Sequence, residues 1–140
     1  MKKQIKTTHR IAAPADAVWA QIRTGEGVDT WLPPITACRV EGKRRYCEAG
    51  EARLEETIER SDDAARIFAY SIQQQNLMPV TDIAGEMRVE PDGANHCRLH
   101  WEVTFGVADE TTFAAVKSGI EQLYAAGAAG LERLALEPQA

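Results

Sequence analysis

The sequence lacks any apolar run near the roughly 20 residues that carry a helix across a bilayer, so no membrane insertion is expected. Its start, MKKQIKTTHRIAAP, has no apolar middle of the kind a secretory leader needs, and a cytoplasmic location is the expectation. Cysteine is scarce. Cys38, Cys47 and Cys97 are odd in number and widely spaced, which argues against a disulfide framework and predicts reduced thiols packed as small core residues. They supply no close ligand pair, so no metal is expected. Positive charge is not in excess: the net charge is −5, which excludes a nucleic-acid backbone as the main partner. The one basic cluster, Lys43, Arg44 and Arg45, is flanked by Glu41 and Glu48 and reads as a solvated strand edge. Aromatic residues make up only 6%, few for a protein that stacks polycyclic rings. No Ser-His-Asp set or paired carboxylates stand out, and no cofactor is expected.

What is present is an ordinary folding composition, 44% apolar and 26% charged over 140 residues. That length predicts a single domain, residues 1–140, able to bury about two-thirds of its unfolded surface. The most organised stretch is the last. From Asp109 to Leu136, Phe113, Val116, Ile120, Leu123, Tyr124, Leu131 and Leu134 recur at helical spacing, so one face is buried. Asp109 or Thr111 can cap its start, and Pro138 lies just past its end. The same helix carries Gly119, Gly127 and Gly130 among many alanines, although interior glycine costs about 1 kcal/mol each. Either the backbone packs closely there or the helix leaves room for a cavity; the pattern allows both.

Everything before the helix reads as a wrapper. Ile5, Thr7, His9 and Ile11 share one side of a first strand. Pro14 opens a short helix whose buried stripe is Ala15, Val18, Trp19 and Ile22, and a second short helix ends before Pro33. Trp31 closes one end of the core or gates a cavity. Six strands follow, over about 35–41, 44–48, 51–60, 65–73, 81–91 and 96–105, joined by short turn-forming breaks that imply antiparallel hairpins. In the last strand Cys97, Leu99, Trp101, Val103 and Phe105 alternate with His96, Arg98, His100, Glu102 and Thr104, which sets both histidines on the solvent face.

One position breaks the pattern. Leu54 and Ile58 fix the inner face of their strand, and the period of two places Glu56 on that face as well. A carboxylate in an apolar interior is costly unless it is paired, hydrogen-bonded or protonated. A wet rim, a partner such as Tyr70 or Arg39, or a role as polar anchor or proton acceptor in a pocket would each account for it.

The order β-α-α-β-β-β-β-β-β-α resembles the helix-grip fold, an α+β arrangement in which a bent seven-stranded antiparallel sheet wraps a long C-terminal helix, with two short helices after the first strand. More closely, the chain resembles the bacterial polyketide cyclase/dehydrase and lipid-transport (SRPBCC) proteins of the START-like superfamily. The resemblance is carried by Ile11-Ala12-Ala13-Pro14-Ala15-Asp16-Ala17-Val18-Trp19, Trp31-Leu32-Pro33, Cys38-Arg39-Val40-Glu41-Gly42, Glu56 with Ile58, Ala69-Tyr70-Ser71-Ile72 and Leu77-Met78-Pro79-Val80. It implies a cavity between sheet and helix that binds or transports a small hydrophobic molecule: a lipid, polyketide or aromatic metabolite. Trp31, Ile58, Phe68, Met87, Leu99, Trp101, Ile120 and Tyr124 would wall the cavity, with Glu56 and Tyr70 orienting the ligand. The alternative it implies is a cyclase or dehydratase using Glu56 as base and Tyr70 as donor. Whether two copies form a homodimer is left open.

Overall fold

The computed structural model describes residues 1–138. Strand β1 (Lys2–Ile11) is followed by helix α1 (Ala15–Ile22) and a single 3₁₀ turn at Val28–Thr30. Six strands come next: β2 (Ala37–Glu41), β3 (Arg44–Ala49), β4 (Ala52–Asp62), β5 (Ile67–Gln75), β6 (Thr81–Pro91) and β7 (Cys97–Gly106). Helix α2 (Glu110–Leu136) closes the described chain, capped by Asp109, whose side chain accepts from the Thr112 amide. No helix among the described residues is long and apolar enough to cross a membrane.

The strands form one sheet in the order β1-β7-β6-β5-β4-β3-β2 with every neighbouring pair antiparallel. This is the helix-grip arrangement expected from the sequence. Hairpins link consecutive strands from β2 to β7, while β1 pairs with β7 to complete the sheet. Alternation then decides the core. Leu99, Trp101, Val103 and Phe105 of β7 lie inside with Met87, Val89 and Ile83 of β6, and α2 sets Val116, Ile120, Tyr124 and Leu131 against them. The outward residues of β7 remain polar, with His100 beside Glu90 at 3.0 Å.

Bends in the sheet come from irregular register. Between β4 and β5 the pairing passes from Glu55↔Gln74 to Glu56↔Ile72, and from Ile58↔Tyr70 to Arg60↔Ala69. The residue skipped in the first shift is Gln73, on β5, and in the second Glu59, beyond Glu56 on β4. The inward period of Leu54, Glu56 and Ile58 therefore survives both bulges. Gln75, placed inward past the first bulge, then fastens the following loop: its amide nitrogen donates to the Met78 and Val80 carbonyls and its oxygen accepts from the Leu77 and Met78 amides.

The glycines of α2 resolve the choice between packing and space. A methyl group on Gly130 would strike the Trp31 carbonyl, and one on Gly127 would lie 3.0 Å from Leu32 and 3.1 Å from Trp101. These two positions exist for close approach, and the approaching segment is the one around Trp31. Gly119 faces open surroundings. The cavity described below lies instead against Ile120, Leu123 and Tyr124.

The expectation of three reduced thiols is corrected. Cys38 and Cys47 are direct partners in the β2–β3 register and are joined by a disulfide, leaving Cys97 as the buried thiol. The nine-residue separation concealed this, because only the hairpin register brings the pair face to face.

Candidate functional site

The site begins with Arg45 and Glu56. They are register partners across the β3–β4 ladder, and both strands turn these residues inward. Both side chains are nearly sealed, at 8% and 6% exposed. Arg45 Nη2 donates to Glu56 Oε1 at 2.7 Å and Nε donates to the same oxygen at 3.3 Å, while Nη1 donates to the Gly25 carbonyl at 3.2 Å. The guanidinium also lies 5.3 Å from the Phe68 ring centre and 5.4 Å from that of Tyr70, within range of cation–π attraction.

This corrects two expectations. Arg45 is not part of a solvated edge, and the partner of Glu56 is neither Tyr70 nor Arg39; Arg39 points outward to Glu41. Arg45 is the functional candidate that sequence reasoning missed. The signal was available in parity: Arg45 and Cys47 share a face, and Arg44 and Tyr46 take the other. An ion pair held this far from water survives only with good geometry and further hydrogen bonds, and the Gly25 carbonyl supplies one.

Glu56 Oε2 accepts no hydrogen bond from the described residues. It is also not enclosed by protein, since among the described residues only Trp31 Nε1 is both enclosed and unpartnered. Glu56 lines a cavity of about 80 Å³ between the sheet and the first half of α2. Of the residues expected to wall it, Trp31, Glu56, Phe68, Tyr70, Met87, Trp101, Ile120 and Tyr124 do so. Ile58 and Leu99 do not. Ile58 keeps its inward parity but packs against Gly25, and Leu99 is fully buried in the solid part of the core.

Beside the ion pair the wall is aromatic. Trp101 stacks on Tyr124 with ring centres 3.7 Å apart and planes 4° from parallel, and it tilts against Trp31 at 5.9 Å. Its Nε1 donates to the Tyr70 hydroxyl at 3.1 Å. Gly85 makes room for that hydroxyl, because a side chain there would overlap the Tyr70 ring. Burial pushes the Tyr70 phenol up, with the Trp101 hydrogen bond opposing and the Glu56 charge reinforcing. Tyr124 is driven well above the ordinary range, first by burial and then by Tyr70 and Glu56. Both therefore remain neutral phenols at physiological pH. The chemistry on offer is a largely apolar chamber with hydrogen-bonding groups and one ion pair in its wall, and with Glu26 as a further carboxylate in the lining.

Among curated proteins, none matches this chain in sequence. Solved structures do match in fold. An uncharacterized protein from Bacillus thuringiensis superposes with a TM-score of 0.84 at 23% identity, covering 96% of this chain and 100% of its own. A START superfamily protein from Mycobacterium smegmatis gives 0.79 at 15% identity, covering 93% and 94%. The Zhui aromatase/cyclase from Streptomyces sp. R1128 gives 0.73 at 20% identity, covering 96% and 94%. At these identities the likeness speaks for the fold alone. The family model for polyketide cyclase / dehydrase and lipid transport matches residues 2–136, essentially the whole chain. With its sheet gripping α2 around a walled chamber, the chain belongs to the polyketide cyclase/dehydrase and lipid transport family.

Proposed function

We propose that the protein binds a small, largely hydrophobic molecule in the chamber between the sheet and α2, as a carrier or sensor. The observation that carries this reading is the unpaired Oε2 of Glu56, a buried residue in the wall of a chamber lined mostly by apolar and aromatic side chains. A buried carboxylate with an unused acceptor costs stability unless something donates to it, and a ligand or ordered water is what can. Phe68, Met87, Trp101 and Ile120 would supply affinity at about 25 cal/mol per Å² of apolar area covered. Arg45, Glu56 and Tyr70 would fix orientation. Native mass spectrometry of protein purified from its own host tests the reading. A bound small molecule near one-to-one ratio supports it; an empty protein that also takes up no apolar probe sinks it.

A second reading is favoured by one feature of Tyr70. Its hydroxyl accepts from Trp101, a polarising contact, and has the Tyr124 hydroxyl as its other hydrogen-bonding neighbour. A phenol so placed could donate to a developing enolate while Glu56 accepts a proton, which is chemistry of the cyclase or dehydrase kind in the family's description. Glu56→Gln separates the two: retained affinity with lost turnover supports the enzyme, and lost affinity with no turnover from either protein supports the carrier.

A further inference from the structure

The disulfide between Cys38 and Cys47 takes no part in the binding reading, yet it stands at the rim of the chamber. The two cysteines sit opposite each other in the β2–β3 ladder with Cα atoms 4.2 Å apart. That is close to the spacing of a non-hydrogen-bonded antiparallel pair, so the backbone ladder itself brings the sulfurs together. The thiols therefore still face each other once the bond is reduced, and it can re-form without refolding.

The two sulfurs differ in access. Cys47 is 3% exposed and lines the chamber beside its other ladder partner, Leu54. Cys38 is half-buried on the edge strand. Thiol–disulfide exchange starts at the sulfur that an attacking thiolate can reach, which is Cys38. In the first step the thiolate of a dithiol reductant attacks Cys38 Sγ, the Cys38–Cys47 bond breaks, and Cys47 leaves as a thiolate that takes up a proton. In the second the other thiolate of the reductant attacks its own sulfur in the mixed disulfide, and Cys38 leaves and is protonated. Two electrons pass to the protein, and the reductant ends as its own disulfide.

What the bond holds is the edge of the sheet. β2 pairs with β3 alone, none of its five residues is fully buried, and among the described residues Cys38 is the one β2 side chain packed on the core. The start of the strand is fixed independently: the Thr36 amide donates to the Glu48 carbonyl at 2.7 Å, and its hydroxyl accepts from the Gly50 amide at 3.1 Å. Past Cys38 there remain the ladder and the surface contacts of Arg39 with Glu41 and the Tyr46 ring. The strand also bounds the chamber, since Ile35, two residues before it, and Cys47, its partner, both line the wall. Reduction removes the cross-link from this strand, and an edge with so few buried contacts then opens locally more often.

We infer that the Cys38–Cys47 bond is a reversible thiol-exchange site, entered at Cys38 by a dithiol reductant, and that its reduction loosens β2 so that the chamber exchanges its contents faster. The second half rests on the binding reading; the first does not.

Treatment of the folded full chain with dithiothreitol, followed by alkylation and peptide mass mapping, tests the first half. Cys38 and Cys47 should become labelled together, Cys97 should stay unlabelled until the protein is unfolded, and oxidised glutathione should restore the bond. A mixed disulfide trapped with glutathione should map to Cys38. A bond that opens only in denaturant, or a mixed disulfide that maps to Cys47, overturns the site and leaves the binding reading in place. Hydrogen exchange and xenon NMR saturation transfer test the second half. Amides 37–41 should exchange about tenfold faster in the reduced protein, as expected of a freed edge, and xenon should enter and leave more quickly. Cys38→Ser should match the reduced protein and ignore dithiothreitol; if that variant does not fold, the reduced parent carries the comparison. Equal protection of β2 in both redox states overturns the second half. If β2 loosens but xenon enters neither form, the binding reading falls with the second half, and thiol exchange at Cys38 stands on the labelling.

Discussion

Arg45 and Glu56 face each other across the β3–β4 ladder and meet at 2.7 Å beneath the aromatic wall, with both side chains almost wholly withdrawn from water. Removing one partner leaves the other charged and buried. Arg45→Met is therefore expected to cost about 3–5 kcal/mol, while Arg45→Met combined with Glu56→Leu should recover most of that loss. Urea unfolding of the two variants checks this; equal destabilisation by the single and double changes would show that the pair is not the source.

Gly85 and Tyr70 form a second coupled pair, for a steric reason. With a methyl group at position 85 the phenol ring has no place to lie, and its hydroxyl leaves Trp101. Gly85→Ala should destabilise by about 1–3 kcal/mol, the range for overpacking a filled core. The same change in a Tyr70→Leu background should cost less, and thermal melts of the four proteins give the coupling directly.

Two glycines of the same helix should respond in opposite ways. Gly119 has open space around it, so Gly119→Ala gains helix propensity and is expected to stabilise by about 0.5–1 kcal/mol. Gly130→Ala meets the backbone of Trp31 and should destabilise despite the same propensity gain. Paired denaturation curves decide the matter; stabilisation by both would mean that the Trp31 segment does not seat on the helix.

Acid sensitivity is expected at Asp63. Arg23 donates to both of its oxygens at 3.0 Å, Trp19 Nε1 donates at 2.9 Å, and these bonds lower its carboxyl from 3.8 to about 2. A carboxyl lowered on folding contributes stability above its unfolded value, and that contribution disappears as pH falls through about 2. Asp63→Asn should be the less stable protein near neutral pH and should converge on the parent near pH 2. Urea midpoints at the two pH values measure the convergence; a constant gap would exclude this linkage.

Much of the fold was legible because it rests on local periodicity. The 27-residue helix, its Asp109 cap, the run of hairpins and the inward parity of Glu56 follow from spacing and turn chemistry that act within a few residues. The bulges beside Glu56 did not overturn its facing, since the skipped residues fall at Gln73 and Glu59. Position on the wall follows the same logic: eight of the ten residues named from the sequence lie along the chamber, because inward parity on a strand or helix is a local property. Ile58 and Leu99 show the limit. Parity says which face a side chain takes, whereas depth along the core decides whether it meets space or solid packing.

The sequence by itself determined the order of elements, the two faces of each strand and the apolar stripe of the last helix, all consequences of the 2.0 and 3.6 periods. Tertiary structure alone decided that Arg45 leaves its basic neighbours to pair with Glu56, that Cys38 meets Cys47, and that Gly127 and Gly130 receive the Trp31 segment. Each of these joins residues whose meeting depends on strand register or helix docking, and only the folded chain brings their interacting atoms within reach.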